Sequence, residues 1–370
     1  MRSEVTRARR VVVKVGSSSL TGKAGAGLDS AAVDQLVDAV ASAKARGLDV
    51  LVVTSGAIAA GLAPLGLKVR PKELELQQAA ASVGQGLLMH RYTESFARHS
   101  ITASQVLLTS EDIVRRSHYR NAQRTLDRLL ALGVVPVINE NDTVGTSEIR
   151  FGDNDRLAAL VSHLVQADLL ILLSDIDALY DAPPSAPGAN RISEVSDFAS
   201  LASAEFGGAG TAGVGSGGMA TKVEAARIAT SAGIAVVLTS LTNVQGAIDG
   251  SEVGTIFHAG SHRAPSRALW IAHASTPKGS LLLDAGAVKA ILERGTSLLA
   301  AGVTAVTGDF AAGDVVNLVD STEKVIARGL VAFDSDEIPQ LLGKSTKELA
   351  ASFGAEYERE LVHRDDLTLI

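Results

Sequence analysis

The sequence predicts an α/β protein, a parallel-sheet αβα sandwich followed by a small β-rich domain. Three observations carry this. Apolar runs of strand length (11–15, 49–53, 134–138 and 169–173) alternate with segments whose apolar residues recur at helical spacing. These runs end in small or polar residues, where ligands meet an open parallel sheet. After residue 279 the pattern changes to short strands and turns.

At 370 residues the chain exceeds what one core usually organises, so two domains are expected. The boundaries read as a catalytic domain over 1–262, a linker over 263–279, a β-rich domain over 280–358 and a tail over 359–370. Hydrophobic residues make up 46% and charged residues 20%, which fits a globular chain rather than a disordered one. No apolar run approaches the roughly 20 residues a membrane-crossing helix needs. Lys14 interrupts the apolar run 11–15, so no signal-peptide core forms. The absence of cysteine excludes disulfides, thiolate metal sites and thiol nucleophiles. A cytoplasmic enzyme without redox chemistry is the expectation.

The first run, ending in Lys14, opens onto Gly16 and three serines. Lys14 reads either as a solvated edge residue or as a cation reaching a phosphate. Asp29 should cap a helix carrying Val33, Leu36, Val37 and Val40 on one face, and Gly47 should stop it. The second run leads into T-S-G-A-I-A-A-G, in which Ser55 serves equally well as helix cap or ligand contact. Helical patterns over 71–98 and 117–132 flank a strand at 102–108.

The run 134–138 opens the stretch around which the chain is organised. Asn139, Asn141 and Asp142 sit at its end, and Asn154 and Asp155 return to the same crevice before a helix over 156–166. Each is a good turn or cap former, but their clustering about one loop points to a polar ligand. The strand at 169–173 ends in Ser174 and Asp175. A Gly-rich stretch then delivers Thr221 and Lys222 into the first turns of a helix closed by Gly233. Its two G-x-G-x-x-G matches follow no convincing strand, and Thr221 breaks the P-loop pattern. Free amides, helix dipole and ammonium together suit phosphate; a flexible linker is the plainer alternative.

Beyond the linker, strands are expected at 281–283, 305–307, 315–318 and 325–329, with helices at 285–294 and 335–342. Residues 280–370 carry 8 basic against 15 acidic side chains, so the net charge of −7 belongs to this part. A nucleic-acid partner needs a basic footprint, and none is expected here. Every motif able to handle phosphate lies at or before Lys222, so this domain is expected to be dispensable for chemistry.

Five ordered motifs, V-V-K-V-G-S-S, V-T-S-G-A-I-A-A-G, P-V-I-N-E-N-D, F-G-D-N-D and G-S-G-G-M-A-T-K, make the chain similar to the glutamate-phosphorylating branch of the amino-acid kinase family, over essentially its full length. The resemblance implies the αβα fold of that family, a PUA-like second domain and transfer of the γ-phosphoryl group of ATP, with Mg²⁺, to the side-chain carboxylate of L-glutamate for proline synthesis. It implies Lys14 and Lys222 as the catalytic cations, oriented by Asp155, and Ser55, Asn139, Asp142 and Asn154 as the glutamate site. Lys14, Ser174, Asp175, Ser216, Gly217, Gly218, Met219, Ala220, Thr221 and Lys222 become the ATP site, with no dedicated protein metal site. Ser174 and Ser216 stand where the family often has Thr, and both keep a hydroxyl. Proline as feedback inhibitor and a homo-oligomer are further implications. Aspartate or acetylglutamate phosphorylation and, more remotely, PUA-type RNA binding are the alternatives.

Overall fold

The computed structural model describes residues 1–21, 27–109, 112–113, 116–144, 154–201, 218–260, 271 and 277–370. Most of the linker expected over 263–279 lies outside them, as does the Gly-rich stretch before Gly218. Two compact units divide the chain, Met1–Arg263 and Ala264–Ile370.

The first unit contains helices α1 (Ser3–Thr6), α2 (Ser17–Leu20), α3 (Ser30–Ala45), α4 (Ala57–Leu62), α5 (Leu74–Ala97), α6 (Arg116–Ala131), α7 (Asn154–Leu164), α8 (Met219–Ser231) and α9 (Val244–Asp249). They flank strands β1 (Arg10–Val15), β2 (Asp49–Thr54), β3 (Ala103–Leu108), β4 (Val135–Glu140), β5 (Leu169–Ser174), β8 (Glu194–Val195), β9 (Ala235–Ser240) and β10 (Thr255–Phe257), with β6 (Leu179–Tyr180) and β7 (Arg191–Ile192) as a separate pair. The sheet order is β3-β4-β2-β1-β5-β9-β10-β8, parallel except where β10 meets β9. Strand order turns back at β1, with β2 on one side and β5 on the other, so the carboxyl ends of these three strands border the crevice of an open α/β sheet. Lys14 lies on an inner strand, and the edge reading fails.

The local reasons follow the sequence. Asp29 Oδ1 accepts the amides of Ala31 (2.9 Å) and Ala32 (3.2 Å), capping α3. Strands β1, β2 and β5 are buried from their second residue on because helices cover both faces, which is why they lack polar alternation. Asn139 belongs to β4, and Asn154 and Asp155 belong to the first turn of α7 rather than to a preceding loop.

Helices α4 and α5 approach with unusual closeness. A Cβ added to Gly84 would sit 1.8 Å from the Ala57 carbonyl oxygen, and one on Gly61 1.9 Å from that of Ala80. The two backbones touch, which only glycine permits. Since α4 begins directly after Ser55 and Gly56 (φ 107°), the packing ties α5 to the end of β2.

The second unit is a five-stranded sheet of β11 (Gly279–Leu283), β12 (Val303–Gly308), β13 (Val315–Val319), β14 (Val325–Val331) and β15 (Val362–Leu369), in the order β12-β11-β13-β14-β15. Helices α10 (Ala285–Arg294), α11 (Ile338–Leu341) and α12 (Thr346–Phe353) accompany it. Leu281, Val316, Leu318, Phe333, Ile338 and Leu349 lie in its core. Residues 359–370 do not form a free tail. Val362–Leu369 is the outer strand, and its charged His363–Asp366 run conceals the strand signal while suiting an edge. The helix expected at 335–342 is shorter, and α12, whose Ser345 and Glu348 form a reciprocal cap, was absent from the expectation.

Candidate active site

Two polar clusters meet at the first turn of α7. In the first, Asp155 is fully buried, with Oδ1 2.5 Å from Lys14 Nζ and Oδ2 3.1 Å from Lys222 Nζ. Lys14 comes from the end of β1 and Lys222 from the start of α8. Thr221 Oγ1 lies 2.9 Å from the same Oδ2 and 2.8 Å from the Gly218 carbonyl, tightening the opening of α8. Burial by itself would raise the Asp155 carboxyl, but the charges and hydrogen bonds of Lys14 and Lys222 outweigh it and hold the group at about 2. Two ammoniums and one carboxylate leave this nearly solvent-free trio with one net positive charge. Buried charge is costly, so an anion beside these ammoniums would complement the trio.

The surroundings keep that place open. A Cβ on Gly16 would stand 3.5 Å from Lys14 Nζ, so the missing side chain leaves room beside the ammonium. Val15 pairs with Leu173, which sets Gly16 beside Ser174 at the end of β5. There Ser174 Oγ donates to Asp175 Oδ1 at 3.0 Å, with Ser174 buried and Asp175 exposed.

The second cluster is a line of side-chain amides. Asn154 Nδ2 donates to Ser55 Oγ (2.9 Å) and to Asn139 Oδ1 (3.2 Å), and Asn139 Nδ2 donates to Gln85 Oε1 (2.9 Å). Asn139 and Asn154 are buried, and Asn154 Oδ1 has no hydrogen-bond partner among the described residues. Because Asn154 and Asp155 are adjacent, the amide line and the cationic trio are one residue apart.

Asp142, in the turn after β4, belongs to neither cluster. Burial pushes its carboxyl up to about 6, against the pull of Arg70. Arg70 Nε in turn donates to Gln77 Oε1 at 3.3 Å.

Of the residues singled out in the sequence, Lys14, Asp155, Thr221 and Lys222 come together, as do Ser55, Asn139 and Asn154. Ser174 and Asp175 pair beside Gly16. Gly218 precedes α8, and Met219 and Ala220 open it. Ser216 and Gly217 lie outside the described residues. Gln85 and Arg70 were not foreseen. A glutamine between Gly84 and Gly86 inside a long helical pattern is the signal that marks the first, and nothing in the sequence marks the second.

The family model of the amino acid kinase family matches residues 9–240, and that of the PUA domain residues 279–353. The chain is 62% identical over 370 residues to the glutamate 5-kinase of Streptomyces avermitilis, covering 100% of this chain and 98% of the relative. It is 60% identical over 370 residues to that of Salinispora arenicola, covering 100% of both, and 52% identical over 369 residues to that of Nocardia farcinica, covering 100% and 99%. Among solved structures, carbamate kinase from Giardia lamblia bound to AMP-PNP matches with a TM-score of 0.51 at 16% identity, over 69% of this chain and 100% of that one. At that identity the likeness concerns the fold alone.

Proposed function

The chain belongs to the amino acid kinase family, and on that premise we propose that it transfers the γ-phosphoryl group of ATP to the side-chain carboxylate of L-glutamate, giving L-glutamyl 5-phosphate, the first step of proline biosynthesis. The observation that carries the residue-level reading is the buried, net-positive Lys14–Asp155–Lys222 trio adjoining, through Asn154, a polar pocket of amides. A carboxylate nucleophile is ionised at pH 7, so no general base is required. The difficulty is bringing an anion to a polyanion. Lys14 and Lys222 neutralise charge on the transferring group, and Asp155 fixes both ammoniums in place before the nucleotide arrives. Ser55, Asn139 and Asn154 hold the acceptor beside them.

ATP is taken with Mg²⁺. Both Asp155 oxygens are engaged by ammoniums, so among the described residues the hard oxygen donors of Ser174 and Asp175 would suit the ion, with phosphate and water supplying further ligands. When bound there, Mg²⁺ supplies further neutralisation of phosphate charge.

The reading is tested by ATP consumption with single acceptors. Turnover on L-aspartate or N-acetyl-L-glutamate that exceeds turnover on L-glutamate would sink it.

Asp142 is proposed to pair with the acceptor's ammonium, and its chemistry gives a pH prediction. Its carboxyl is raised, so the negative charge is present above about pH 6 and lost below it. Between pH 6 and 5 the KM for glutamate should climb by up to about tenfold while the KM for ATP follows its own course. Asp142→Asn should have a high glutamate KM already at pH 7 and lose this limb. A parental limb surviving in Asp142→Asn removes the assignment.

By the same family reading, proline competes at the acceptor pocket, the protein works in the cytoplasm, and it self-associates. Glutamate turnover indifferent to millimolar proline, export of the protein from the cell, or sedimentation as a monomer would discard each in turn.

A further inference from the structure

Resting on the reading that glutamate is the acceptor, we propose that Gln85 is a positioning residue that sets the polarity of the amide line and thereby its preference for an acceptor bearing an α-ammonium group. A side-chain amide has a donor end and an acceptor end, and a line of them must run head to tail. Gln85 offers Oε1 to Asn139 Nδ2, which turns Asn139 Oδ1 towards Asn154 Nδ2. Both hydrogens of the Asn154 amide are then spent, one on Asn139 and one on Ser55.

What remains is Asn154 Oδ1, a buried acceptor without a hydrogen-bond partner among the described residues, on a residue only 6% exposed. Such an atom is unfavourable until a ligand brings it a donor, and the α-ammonium of an amino acid is a donor only. Were the Gln85 amide turned over, Nε2 would face Asn139 and the whole line would reverse. Asn154 would then present its NH₂ to the ligand, which suits a carboxylate. Gln85, partly exposed and two elements away from Asn154, thus selects which end of the pocket amide is offered. Its own place is fixed by Gly84, whose contact with the Ala57 carbonyl pins α5 at that level.

The test uses the full chain and three preparations. Gln85→Met keeps length and removes the acceptor atom; Gln85→Glu keeps an acceptor and cannot reverse. For Gln85→Met the glutamate KM should rise about tenfold, the size of one well-placed hydrogen bond, with the KM for ATP within about twofold of the parent. Glutarate, which lacks the ammonium, should inhibit parent and Gln85→Met alike to within about twofold. Gln85→Glu should restore the glutamate KM to within about threefold. Should Gln85→Met not fold, Gln85→Ala carries the same readout. A parental glutamate KM in Gln85→Met, equal damage in Gln85→Glu, or parallel loss of glutamate and glutarate binding each overturns the proposal. A parent without glutamate-dependent ATP turnover would instead overturn the reading on which it rests, and that is seen before any variant is made.

Discussion

Lys222→Ala is expected to lower kcat by ~100-fold or more in a protein that still folds, and Lys14→Ala to do the same, the scale set by removal of one preorganised donor from a transition state. Each substitution takes the trio from one net positive charge to none. Asp155 stays paired with the remaining lysine, so folding should survive, whereas charge developing on the transferring phosphoryl oxygens loses one of its two ammoniums. The loss should fall on kcat more than on the KM for glutamate, since the acceptor is held by the amide line. A folded variant with near-normal kcat would remove that lysine from the mechanism.

Asp155→Asn should have the largest combined effect. It leaves two buried ammoniums facing an uncharged amide, and breaking a buried pair in this way costs about 3–5 kcal/mol. For a unit of this size that is a fall of about 10 °C in Tm. In the parent the carboxyl ionises at about 2, well below its unfolded value, so its contribution to stability is full above pH 4 and fades as pH falls towards 2. Added ATP should raise the Tm of Asp155→Asn by more than it raises that of the parent, because the polyanion replaces the lost counter-charge. Equal nucleotide shifts in the two proteins would show that Asp155 does not hold the lysines for phosphate.

Much of this was legible in the sequence because strands and loops announce themselves locally. Lys14, Ser55, Asn139, Ser174 and Lys222 each stand at or near the end of an apolar run or the mouth of a helix, and an open parallel sheet gathers such ends on one side. What was hidden depends on long-range geometry. No local pattern says that Asp155 touches two lysines 141 and 67 residues away, or that Lys14 is internal to the sheet, since strand order is not written in any one strand. Gln85 was hidden for a related reason. It lies mid-helix, far along the chain from any strand end, and reaches the pocket because α5 lies against α4. In the second unit, His363–Asp366 reads as a solvated run because an edge strand tolerates charge.

The contact between Gly61 and Gly84 also bears on how the acceptor pocket could be redesigned. A wall held backbone to backbone cannot be moved outward by degrees: any added carbon at either glycine collides with a carbonyl, and any retreat of α5 carries Gln85 away from Asn139. Laboratory evolution towards shorter or longer dicarboxylic acids should therefore find its useful changes in side chains that project into the pocket, with the helix pair left as a fixed frame. Libraries that spare positions 61 and 84 should yield more folded, active clones than libraries that vary them.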